Sequence, residues 1–128
     1  MRNSIVLFGI GLGRSTTDQL ADAIVEQFSA ARLEIEMLYL CSLRSVRTTD
    51  PLQIVSGIQA IEGRKLCIFA HRHDSVGTRP KMLHFYETME REFHNDPNVD
   101  IVILQPIPEP SKMNHFRRCA EVKLAFHR

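Results

Sequence analysis

Two histidines one residue apart, His71 and His73, with Asp74 beside them, are the side chains in this sequence best suited to chemistry. They directly follow the apolar run KLCIFA at residues 65 to 70, so they open the loop after an expected buried strand. On an extended segment an H-x-H pair sends both rings to one side. A neutral imidazole can ligate a divalent transition metal or accept a proton near pH 7, and a neighbouring carboxylate can complete the ligand set or orient a ring. His71, His73 and Asp74 are therefore a candidate metal site, with His71 and His73 as candidate catalytic groups. The alternative is a set of polar loop residues that touch a ligand, or nothing, without a metal. The other four histidines, His84, His94, His115 and His127, fall on or near expected helices and read as surface or interfacial residues.

Arginine supplies the second signal. Arg14, Arg44, Arg47, Arg72 and Arg79 all lie in segments that lead from an apolar run into a helical pattern, with Lys81 just beyond. Asp50, Asp74 and Glu109 are the acids opposing them, and Asp50 is placed to cap a helix. A net charge of +1 on 128 residues excludes a nucleic-acid-coating protein and an acidic tail, so the clustering is local. Arginine forks suit carboxylates and phosphates, and the expected partner is an anionic small molecule rather than nucleic acid or membrane. Solvated, charged loops are the plainer alternative.

The third signal is GIGLGRSTT, in which Gly9, Gly11 and Gly13 precede Arg14 and Ser15. Its G-x-G-x-G spacing is not the G-x-G-x-x-G dinucleotide fingerprint, and Tyr39, Leu40 and Cys41 stand where the ribose-binding acid would be needed. No G-x-x-x-x-G-K-[ST] motif is present, which removes the P-loop. Two readings stay open: Gly11, Gly13, Arg14 and Ser15 as a ligand-binding loop, or glycines for a tight turn with Ser15 and Thr16 as ordinary caps.

These groups need a scaffold that gathers them. Ile5 to Ile10 is apolar on both faces, as a strand between two helical layers would be. Leu20, Ala23, Ile24, Phe28 and Ala31 then mark a helix from about Thr16, started by Ser15 and Asp18. RLEIEMLYL, 32 to 40, alternates at its start and predicts an edge strand. Asp50 and Pro51 open a helix through Leu52, Val55, Ile58 and Ile61, which Gly63 is placed to end. KLCIFA is a third strand, and Pro80 opens a helix bearing Met82, Phe85, Tyr86, Met89 and Phe93. VDIVIL, ending at Leu104, is a fourth strand, and Ser111 caps a last helix with Met113, Phe116, Ala120 and Leu124. The β-α-β-α-β-α-β-α order predicts one α/β domain over residues 1–128, a doubly wound parallel sheet of about four strands with helices on both faces. In such sheets ligands bind beyond the carboxyl ends of the strands, where the arginine-bearing segments converge.

No apolar run is long enough to span a bilayer, and the N-terminus reads as a strand rather than a signal peptide. Cys41, Cys67 and Cys119 are odd in number and lack C-x-x-C spacing, so free thiols and a cytoplasmic location are expected.

From end to end the chain resembles the short-form sirohydrochlorin chelatases, class II enzymes that insert cobalt, nickel or iron into a tetrapyrrole. SIVLFGIGLGRSTTDQLADAIVEQF resembles that family's first strand, glycine-containing loop and first helix. RLEIEMLYL is similar to its second strand, DPLQIVSGIQAIEGRKLCIFA to the following helix and strand, and DPNVDIVILQPIPEP to the last strand and its proline-bearing loop. The resemblance implies a chelatase-like α/β fold, a homodimer, a divalent metal as substrate and no tightly bound organic cofactor. It also implies a lyase of cobalamin-type tetrapyrrole biosynthesis. Arg14, Arg44, Arg47, Arg72 and Arg79 would grip the tetrapyrrole carboxylates, while His71 or His73 would deliver metal or take a pyrrole proton. The chain departs from the family at two places. Ile10 stands where the first loop normally has a histidine, and Gly77 or Thr78 falls about where the second family histidine lies. A member that binds without catalysing is therefore a second expectation. A flavodoxin-like FMN-binding redox protein and a noncatalytic regulatory or assembly domain are the alternatives from other classes.

Overall fold

The computed structural model describes residues 3–71 and 79–104. The elements are β1 (Asn3–Ile10), α1 (Arg14–Ala30), β2 (Met37–Leu43), α2 (Pro51–Gln59), β3 (Arg64–His71), α3 (Arg79–Phe93) and β4 (Val99–Ile103). All strand pairs are parallel, in the order β2-β1-β3-β4. The fold is thus the expected α/β class, a four-stranded parallel sheet with helices on both faces. The expected fourth helix, with Met113, Phe116, Ala120 and Leu124, lies outside the described residues.

Side-chain alternation divides the core in two. Ile5 and Leu7 of β1, with Ile68 and Ala70 of β3, pack with Leu20, Ala21, Ile24 and Phe28 of α1. Val6, Phe8, Cys67 and Phe69 point to the other face and pack with Val55 and Ile58 of α2 and Met82, Phe85, Met89 and Phe93 of α3. β1 is buried along seven of its eight positions because it is central and covered on both faces, as its unbroken apolar run requires. Gly9 marks a close approach of α1: a Cβ there would overlap the Thr17 hydroxyl.

Boundaries differ from the sequence reading at three places. α1 starts at Arg14, with Gly13 as its N-cap and no side-chain cap bond, so Ser15 and Asp18 do not form the expected cap. Instead the Thr17 hydroxyl donates back to the Gly13 carbonyl at 2.7 Å. β2 begins at Met37, not Arg32, because its register with β1 starts at Ser4 opposite Met37. Arg32 takes a left-handed turn at φ 57° after α1, and Leu33 and Ile35 pack on the core from the connecting segment. That packing, rather than pairing, produces their alternation with charged residues. β2 does occupy the expected edge. α2 ends at Gln59, and Gly63, at φ 83°, turns the chain into β3 rather than closing the helix. The Asp50 carboxylate accepts from the Leu52 N–H at 3.0 Å, and Pro51 fills the first turn of α2 as expected.

Candidate functional site

The carboxyl edge of the sheet is organised around the tip of β1. Ile10 lies between Leu43 of β2 and His71 of β3 in register. One residue on, the Gly11 N–H donates to the Leu43 carbonyl at 2.8 Å, which ties the first loop to the end of β2. Gly11 has φ 68° and Gly13 φ 77°, a conformation that glycine adopts without steric cost. A Cβ on Gly11 would lie 3.6 Å from the Arg44 carbonyl, so the first and second loops run side by side.

Among the candidate ligand-binding residues, Arg14 and Ser15 are exposed in the first turn of α1, and Arg44 and Arg47 are exposed in the segment after β2. That segment has its own turn: Ser45 Oγ accepts from the Arg47 N–H at 3.1 Å, and the Thr49 hydroxyl donates to the Ser45 carbonyl at 2.8 Å. Val46 is buried there and anchors the loop to the core while Arg44 and Arg47 reach solvent. Gly11, Gly13, Arg14, Ser15 and Arg44 are thus gathered at one edge. Arg72, His73 and Asp74 lie outside the described residues, and Arg79 is described only as the first residue of α3.

The start of α1 lacks the features that would neutralise a helix N-terminus. Its first amides lack a side-chain cap among the described residues, and no acid lies in its first turn. Uncapped amides carry the positive end of the helix dipole. Arg14 lies exposed in the same turn, and a helix N-terminus favours negative charge.

His71 is the titratable side chain that the sheet holds at this edge, but its setting differs from the loop expected from sequence. It is the last residue of β3 and only 5% exposed. Its Nδ1 lies 2.8 Å from the Tyr86 hydroxyl of α3, and the two ring centroids are 5.6 Å apart. Tyr86 packs edge-on against Phe69, which stacks on Phe8 at 4.7 Å. His71 is therefore held by an aromatic wall under α3. Both tautomers fit the hydrogen bond, with opposite results. If Nδ1–H donates to the tyrosine oxygen, Nε2 carries the lone pair that can bind a metal or accept a proton. If the hydroxyl donates, Nε2 bears the hydrogen.

Sequence reasoning placed Tyr86 on the core stripe of α3 and missed its role as partner of His71. The signal that could have found it was a hydroxyl among otherwise apolar stripe residues, since a buried tyrosine OH needs a partner. Among the described residues no group of three or more His, Cys, Asp or Glu side chains could hold a metal ion. No described helix is long and apolar enough to cross a membrane. The chain matches no protein-family model and no curated protein.

Proposed function

We propose that the chain is a chelatase-like protein that binds an anionic tetrapyrrole of the sirohydrochlorin type at the carboxyl edge of its sheet. The observation that carries this reading is the uncapped start of α1, set beside Arg14 and next to the Arg44 segment. Peripheral carboxylates of a tetrapyrrole are the complement of spaced guanidinium groups around a positive helix end.

Metal insertion would place two demands on the site: a base for the two inner N–H protons, and a ligand that hands over the metal substrate. His71 and His73 would meet them. With Ile10 in place of the family's first-loop histidine, His71 is the imidazole nearest in register, one strand over. Its bond to Tyr86 would fix the tautomer of the ring. The metal substrate would be cobalt, nickel or iron.

Titration with sirohydrochlorin, followed by absorbance with and without Co²⁺, tests both halves. Saturable binding with accelerated insertion supports the enzyme, and binding without acceleration supports the divergent, noncatalytic form. No binding overturns the proposal. Arg14→Glu and Arg44→Glu should each weaken tetrapyrrole binding about tenfold, the size expected for one charge-assisted contact. The double variant His71→Ala, His73→Ala should abolish insertion while leaving binding in place.

The strand order itself favours one rival. β2-β1-β3-β4 is also the beginning of the flavodoxin arrangement, in which FMN binds at the β1/β3 switch point. A yellow purified protein, or quenching of FMN fluorescence on mixing, would favour that reading. Among the described residues, Tyr39 and Phe69 lie within strands and Tyr86 is engaged with His71, so the flavin ring lacks a stacking partner there.

A further inference from the structure

We infer that a second small-molecule site lies at the amino edge of the sheet, and that it takes a free α-amino acid with a branched aliphatic or aromatic side chain. This inference is independent of the ligand proposed above.

A cleft of about 190 Å³ opens where β1, β3 and β4 begin, beside the end of α1. β3 runs from Arg64 at this edge to His71 at the other, so a rise of about 3.3 Å per residue sets the two sites roughly 20 Å apart. The volume is below the roughly 300–1,000 Å³ of sites for drug-sized molecules, which limits the occupant to a small one. Phe28 of α1, Leu66 of β3, and Leu33 and Ile35 of the α1–β2 connection supply the apolar lining. Leu33, Ile35 and Leu66 pack against the core on the α1 side but are only partly buried. A hydrocarbon group entering the cleft would complete their burial.

The polar lining decides the head group. Alternation puts Arg64 and Asp100 on the same face of the sheet as Leu66 and Val102. Arg64 donates from Nη2 to Asp100 at 3.2 Å and stays exposed, with further guanidinium N–H donors to give. Asp100 thereby orients the fork, and the remaining donors suit a carboxylate. Glu34 also lines the cleft, exposed and without an ion pair among the described residues. Lys65, the other cation of the lining, is buried and donates from Nζ to the Ile61 carbonyl at 2.6 Å, so its charge is committed elsewhere. A simple carboxylate would leave Glu34 unanswered, and a simple amine would leave Arg64 unanswered. An α-amino acid carries both charges on one carbon, with its side chain beyond them. Ammonium to Glu34, carboxylate to Arg64 and side chain against Phe28, Leu33, Ile35 and Leu66 match the whole lining.

Titration of the ¹⁵N-labelled full chain with L-phenylalanine, followed through backbone amide shifts, tests this. Saturable shifts should centre on residues 33–35 and 64–66 and leave residues 11–15 unchanged. Hydrocinnamate lacks the ammonium and phenethylamine lacks the carboxylate, so each should bind at least about tenfold more weakly. Glu34→Gln should weaken L-phenylalanine and phenethylamine about tenfold while leaving hydrocinnamate unchanged. Arg64→Gln should do the converse, weakening L-phenylalanine and hydrocinnamate alone. A folding defect would weaken all the probes, so the crossed pattern separates head-group contacts from loss of structure. No saturable shift at these residues, analogues that bind as tightly as the amino acid, or variants that do not show the crossed pattern would each overturn the inference.

Discussion

The Tyr86 hydroxyl lies 2.8 Å from Nδ1 of His71, joining the middle of α3 to the last residue of β3. The contact spans the layer between sheet and helix at the point where a ligand would approach the switch between β1 and β3. It couples the ring's tautomer to the packing of a helix.

Tyr86→Phe removes the hydroxyl and leaves Nδ1 of a buried imidazole without this bond. Loss of one such partner costs about 1–3 kcal/mol. Urea denaturation should show that loss, and ¹⁵N NMR of the imidazole should show a changed tautomer balance. An unchanged tautomer spectrum together with unchanged stability would mean the contact does not form in solution.

Gly9→Ala puts a methyl group against the Thr17 hydroxyl, where α1 passes close to β1. Overpacking of this kind costs about 1–3 kcal/mol. Thr17→Ala, which also loses the bond to the Gly13 carbonyl, should be destabilising alone. Combined with Gly9→Ala it should cost less than the sum, because the small side chain makes room. Additive losses in denaturant melts would show that the two residues do not meet.

Cys67 is fully buried, and its thiol is pushed up from the ordinary 9.0 to about 12. Desolvation is the main cause; Lys65 acts against it and Asp100 with it. Because the folded value is raised, the stability linked to the neutral thiol is fully present below pH 9 and is lost as pH climbs toward about 12. Denaturation midpoints should fall over that window, and less steeply in Cys67→Ala. Burial also raises the half-buried Cys41. Native alkylation mapped by mass spectrometry should modify Cys41 well before Cys67, and equal rates would contradict the buried setting.

The layered α/β architecture was legible because its signals are strong and repeated. The unbroken run from Ile5 to Ile10 can be satisfied only with cover on both faces, and the Asp50-Pro51 start of α2 is a local device that tertiary packing did not override. The start of α1 was misread for the converse reason. Ser15 has the chemistry of a cap, but the glycines place the turn two residues earlier and leave it inside the helix. Arg32 to Glu36 imitated a strand because loop residues that pack inward alternate as strand residues do. His71 was visible as a candidate, yet its burial was not, since that depends on Tyr86, fifteen residues away on another element. Pairing of that kind leaves no periodic trace.

The position of β1 also bears on how the chain is made. Its central partner is β3, whose register begins with Asn3 opposite Arg64, so β1 must wait for more than half the described chain before its second side is filled. β2 arrives earlier and can pair first, with α1 over one face, but the edge that β3 fills and the face that α3 covers stay open. Nascent chains halted before residue 64 should therefore engage chaperones, and release of that hold should coincide with emergence of KLCIFA.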